Sequence, residues 1–150
     1  MALKARIKDK MKAALLSGDR FVGETLRNLT AAILDEEVKL GKRDEGLSDE
    51  EIEKVVAREV KKRNESAKIY RDNNRPDLAE PEEREIEILQ AYLPKQLDET
   101  ELAAIIEAKI AELSVTGPQA MGQVIGAVKK QVGNAADGAA IARIVKQKLN

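Results

Sequence analysis

"SDEEIEKVVAREVKKRNESAKIY" occupies residues 48–70. Ser48 and Glu51 make the S-x-x-E pattern of a capping box, in which each side chain satisfies a backbone N–H left open at a helix start. Behind it, Ile52, Val56, Val60, Ala67 and Tyr70 return at helical spacing and mark one buried face. Glu50–Lys54 and Glu59–Arg63 are i, i+4 pairs with the acid nearer the N-terminus, the favourable order. The stretch predicts one long amphipathic helix, and "KKRNESAK" (61–68) reads as its solvated part rather than as a nucleic-acid patch. Every other long segment repeats with the same period, and none alternates as a strand would. The expected fold class is all-α, with long helices in an N-terminal domain and a small three-helix C-terminal domain.

Upstream, "MALKARIKDKMKAALL" (1–16) places Leu3, Ile7, Met11 and Leu15 every four residues. It is basic without a continuous apolar core, so it does not read as a signal peptide. A helix docked on its neighbour is the expectation, ahead of a membrane-surface helix. Ser17-Gly18 breaks it, and Asp19 is a candidate N-cap for a second helix with Val22, Leu26, Leu29, Ile33 and Leu40 near one face. Gly41 is its expected C-cap. Downstream, "DNNRP" (72–76) ends the long helix, and Pro76 suits a first helical position. Pro81 should kink the next helix or mark its true start. That helix buries Ile86, Ile88 or Leu89, and Leu93, and stops at Pro94. "PKQLD" (94–98) reads as a linker, giving domains 1–94 and 95–150. Asp98, the Thr116-Gly117-Pro118 break, Gly133-Asn134 and Asp137 punctuate three shorter helices beyond it.

The 150 residues include no Cys and no His. Disulfides, thiolate nucleophiles, Cys/His zinc sites, Ser-His-Asp triads and imidazole acid–base chemistry are therefore excluded. No run approaches the ~18–20 apolar residues of a membrane span, and a cytoplasmic location is the expectation. The net charge is −1, unevenly spread: residues 95–116 carry two basic and five acidic residues, and residues 117–150 five basic and one acidic. Asp35-Glu36-Glu37 is a conceivable Mg²⁺ ligand group, but a solvated helical turn is the preferred reading. No P-loop pattern occurs, and Ser17, Ser48, Ser66 and Ser114 have no histidine to activate them.

The basic tail contains "MGQVIGAVKKQVGNAADG" (121–138). On a helical wheel, Met121, Val124, Ile125, Val128 and Val132 form the core face. Gly122, Gly126 and Lys129 form a stripe beside it, with Gly133 just past its end. Glycine inside a helix costs about 1 kcal/mol against alanine, so the stripe asks for an explanation. Either another helix crosses it closely, or a sugar-phosphate backbone lies along it with Lys129 and Lys130 supplying charge.

Together with "LQAYLPKQL" (89–97), "IVKQKL" (144–149), "TLRNLTAAILDEEV" (25–38) and "IYRDNNRPDLAEPEEREIEIL" (69–89), this stretch strongly resembles the GatB/YqeY family over nearly the whole chain. The resemblance implies an all-α protein whose C-terminal domain is similar to the tail of the B subunit of tRNA-dependent amidotransferase, a tail understood to help hold tRNA. The positions matching the family pattern are Lys95, Gly122, Gly126, Lys129, Lys130, Gly133, Asp137 and Gly138. The chain departs from it at Gln123, where relatives often carry lysine, and at Ala135, where they often carry arginine.

Residues and resemblance lead to three functional expectations. The preferred one is a non-catalytic accessory of tRNA aminoacylation or amidation. It would bind the tRNA backbone by shape and charge through Lys95, Gly122, Gly126, Lys129, Lys130, Gly133, Arg143 and Lys146. Aminoacyl-tRNA synthetase or amidotransferase components are possible protein partners. The second is a helical protein-interaction adaptor without RNA contact. The third is an enzyme of glutamine-dependent carbon–nitrogen ligation, a chemistry that the resemblance assigns to a partner instead. No catalytic residue, metal or cofactor is expected, nor a DNA or membrane partner.

Overall fold

The structure, a computed structural model, describes residues 2–150. It is all-helical: α1 (Leu3–Leu16), α2 (Arg20–Lys39), α3 (Asp49–Asp72), α4 (Pro76–Gln90), α5 (Glu99–Leu113), α6 (Met121–Val132) and α7 (Gly138–Leu149). Short 3₁₀ turns at Pro118–Ala120 and Gly133–Ala135 flank α6. The chain divides into two compact units, Met1–Leu93 and Pro94–Asn150. No helix among the described residues is long and apolar enough to cross a membrane.

The N-caps at Asp19, Ser48 and Asp98 act where the sequence places them, whereas the Asp137 side chain makes no capping hydrogen bond to α7. The Ser48 hydroxyl accepts the Glu51 N–H, and the Glu51 carboxylate accepts the Ser48 N–H, both at 3.2 Å. Glu51 also takes Lys42 at 2.9 Å, which ties the α2–α3 loop to the start of α3. Asp19 caps α2 through the Val22 N–H (3.3 Å), and Asp98 caps α5 through the Glu101 N–H (2.7 Å). Pro76 starts α4, which continues through Pro81. That proline falls early enough to forfeit only a bond to the Asp77 carbonyl, near the helix start.

In the first unit α1 packs on α2 and α3 on α4, and α2 touches both members of the second pair. Leu3, Ile7, Leu26, Leu29, Ile33, Ile52, Val55, Val56 and Leu89 are the centre of the core. The α1 stripe is thus spent on its neighbour: Ile7 is fully buried, with Met11 half-buried against the same core. Two expectations for α2 fail together. Leu40 is exposed, and the inward position one turn beyond Ile33 belongs to Glu37, only 2% exposed. Asp35-Glu36-Glu37 is therefore not a solvated turn, nor do its carboxylates converge: Glu36 pairs with Arg58 and Glu37 with Lys4, at 3.1 and 2.6 Å.

In the second unit α5, α6 and α7 all touch one another around Leu102, Ile106, Val124, Val128, Ile141, Ile144 and Val145.

Candidate nucleic-acid interface

The α6 wheel is realised in the fold. Val124 and Val128 are buried and Met121, Ile125 and Val132 half-buried, whereas Gly122, Gln123, Gly126, Lys129, Lys130 and Gly133 are exposed. A Cβ built on Gly122, Gly126 or Gly133 would meet no described atom within 4 Å. Within the second unit, no helix crosses Gly122 or Gly126 closely. Gly133 has a reason of its own, a φ of +54° that turns the chain out of α6. Gly122 and Gly126 lie in ordinary helix and have none within their own unit.

The end of α6 collects charge. Lys129 and Lys130 occupy its last turn, where they also complement the helix dipole. The Lys129 side chain folds over the start of α7: its Cε and Nζ lie 3.4 and 3.5 Å from where a Cβ on Gly138 would stand. An ammonium there lies at the positive end of the α7 dipole, where the Asp137 carboxylate at the N-cap position offsets part of the charge. Asp137 stands at the N-cap position of α7, and its carbonyl accepts the Ile141 N–H at 3.1 Å.

Lys95 reaches this region through the linker. The Leu97 N–H donates to the Ala135 carbonyl (2.8 Å), and the Gln96 side-chain amide donates to the carbonyls of Asn134 (3.0 Å) and Pro94 (2.9 Å). Gln96 and Leu97 are thus strapped to the α6–α7 turn, and Lys95 is exposed just before them. Nothing in the sequence singled out Gln96. Its bonds span 38 residues and leave no local pattern.

The α7 cations are arranged differently. Arg143 donates to Glu99 of α5 at 2.7 Å, and Lys148 pairs with Glu107 of α5 at 2.5 Å. Lys146, between them in sequence, is exposed. The structure therefore brings Lys95, Lys129, Lys130 and Gly133 to one turn, and places Arg143 on the seam with α5. Beside Arg143 lies an open hollow of about 210 Å³, lined by Leu97, Leu102, Ala136, Ala140 and Ile144 with Gln96, Glu99 and Asp137 also at the wall. Sequence reading missed Glu99 as a partner because pairing between α5 and α7 depends on how the bundle closes. The acidic excess of residues 95–116 was the available signal.

The family model for Yqey-like protein matches residues 4–149. The chain belongs to the YqeY-like family. That family is related to the C-terminal region of the amidotransferase B subunit. Among curated proteins, this YqeY-like chain is similar to "Altered inheritance of mitochondria protein 41, mitochondrial" of Lachancea thermotolerans, 30% identical over 76% of the chain and 61% of the relative. The protein of the same name from Eremothecium gossypii is 34% identical over 75% of the chain and 61% of its own length. That from Clavispora lusitaniae is 33% identical over 65% and 57% respectively. The chain thus spans about 61% of the length of the first two relatives.

These names correct the cytoplasmic expectation, because each of the relatives is called mitochondrial. The features behind that expectation, an absence of cysteine and of long apolar runs, do not distinguish one reducing aqueous compartment from another.

Proposed function

We propose that the YqeY-like chain is an RNA-binding accessory protein, and that the α6–α7 turn with the glycine stripe is the surface that holds a folded RNA by its backbone. The observation that carries this reading is the open space over Gly122 and Gly126. Each glycine weakens α6 without helping any contact inside its own unit, so its use lies in something that approaches from outside that unit. A bare helix face lets phosphate and sugar oxygens come close. Lys129, Lys130 and Lys95 then supply charge at one end of the stripe, with Lys146 on the neighbouring helix. Only three aromatic residues occur, Phe21, Tyr70 and Tyr92, all in the first unit. That supports recognition of shape and phosphate over base stacking. The family's relation to the amidotransferase tail makes tRNA the RNA class of choice, in support of aminoacylation or amidation by partner enzymes.

The test is tRNA binding by the full chain and by Lys129→Glu/Lys130→Glu across a salt series. Affinity should fall at least about tenfold, and the log–log salt slope should lose roughly 1.5–2 in magnitude, near one per phosphate contact. A folded variant with unchanged affinity and slope would remove the reading.

The hollow beside Arg143 favours a second reading, in which its apolar floor receives a side chain from a partner helix. Capture of a protein that survives both RNase and high salt, and is lost when Ala140 is enlarged to Leu, would favour that alternative.

A further inference from the structure

We propose that Glu99 and Glu107 of α5 occupy the places of RNA phosphates on Arg143 and Lys148, so that only a densely charged polyanion can engage those two cations. This rests on the RNA reading above and extends it to a residue, Lys148, outside the expected surface. Both pairs run from α7 to α5, at 2.7 Å for Arg143–Glu99 and 2.5 Å for Lys148–Glu107. Arg143 and Lys148 are five residues apart, about 7.5 Å along the helix axis. The four side chains are all substantially exposed. Exposed ion pairs are held weakly and screened by salt, so each carboxylate is exchangeable for another oxyanion.

The charge distribution gives the exchange its meaning. Of the five cations of residues 117–150, Lys129 and Lys130 lie along and beside the glycine stripe, Arg143 and Lys148 are answered from α5, and Lys146 is exposed on α7. A ligand must displace Glu99 and Glu107 before it gains those two contacts. An isolated phosphate gains little by doing so, since it exchanges one anion for another. A polyanion already held at the α6–α7 turn brings its next phosphates at high local concentration, and the exchange becomes favourable. The α5 carboxylates therefore set a threshold of charge density.

The experiment measures binding of a tRNA mixture to four full-length proteins over roughly 50–200 mM salt. They are wild type, Glu99→Gln/Glu107→Gln, the charge-matched Glu65→Gln/Glu101→Gln, and Lys129→Glu/Lys130→Glu. Thermal melts confirm that each is folded. Glu99→Gln/Glu107→Gln should bind several-fold more tightly than the charge-matched control, with a slope steeper by about 1.5 from two released cations. Adding Arg143→Gln/Lys148→Gln to it should abolish the gain. If Glu99→Gln/Glu107→Gln behaves like Glu65→Gln/Glu101→Gln, only net charge matters and this inference is wrong, while the RNA reading stands provided Lys129→Glu/Lys130→Glu still weakens binding. If that last pair has no effect, or if no protein binds, the reading and the inference fall together.

Discussion

Gly122 and Gly126 are where residue chemistry and fold disagree. Gly126 sits inside α6 with helical backbone and open space above it, so alanine fits without strain. Gly126→Ala should stabilise the protein by about 1 kcal/mol, the difference in helix propensity. Gly122, in the first turn, should gain less. The same substitutions put methyl groups on the proposed backbone-binding stripe. The expected pattern in Gly122→Ala/Gly126→Ala is a higher melting temperature with weaker tRNA binding. A more stable protein with undiminished binding would separate the glycines from the interface. The stripe was legible in the sequence as a wheel position, but whether another helix covers it was not. An i, i+4 glycine pattern is the same for a packed seam and an open one, and only the neighbours distinguish them.

At the scale of elements, Glu37 joins α1, α2 and the loop to α3. Its carboxylate takes the Lys4 ammonium at 2.6 Å. Its main-chain carbonyl accepts the Lys42 N–H at 2.7 Å. The hydrogen bond from Lys4 is the chief reason that its acidity is strengthened, against the opposing effect of burial, so its pKa lies below the ordinary value of 4.5. A carboxyl with a depressed pKa in the folded state stabilises at pH above its unfolded value and loses that contribution as pH falls through the folded one. Wild type should therefore lose stability on acidification below about pH 4.5 more steeply than Glu37→Gln, as chemical denaturation at several pH values would show. At neutral pH, Lys4→Met leaves a buried carboxylate short of its main partner and should cost about 2 kcal/mol. A flat difference between wild type and Glu37→Gln across that acid range would assign no such role to the pair. Helical periodicity located α2 but misassigned this position, because Glu37 and Leu40 both lie near the face of Ile33. The partner that makes burial of the charge tolerable is 33 residues away on α1.

At the scale of the whole molecule, the chain carries two separate cores, one centred on Ile52, Val56 and Leu89 and the other on Ile106, Val124 and Ile144. Residues 94–150 contain their own caps, core and basic turn. A fragment of that length is near the lower limit for independent folding, yet its buried apolar residues all find partners within it. It should fold alone into a helical unit that retains tRNA binding with a salt slope close to that of the full chain. Circular dichroism and the same salt titration check this, and an unfolded fragment or a lost slope would place part of the binding surface in the first unit. The amino-acid sequence by itself determined the all-α class, the helix starts at Ser48, Asp19 and Asp98, and the apolar faces of most helices. Capping and periodicity act within a turn or two of chain, so they are visible without coordinates. Only the tertiary structure decided that Glu37 is buried, that Gln96 straps Lys95 to a distant turn, that Arg143 and Lys148 meet carboxylates of α5, and that no helix of their own unit covers the glycines of α6. Those facts depend on which surfaces close on one another in three dimensions, and local spacing carries no record of that choice.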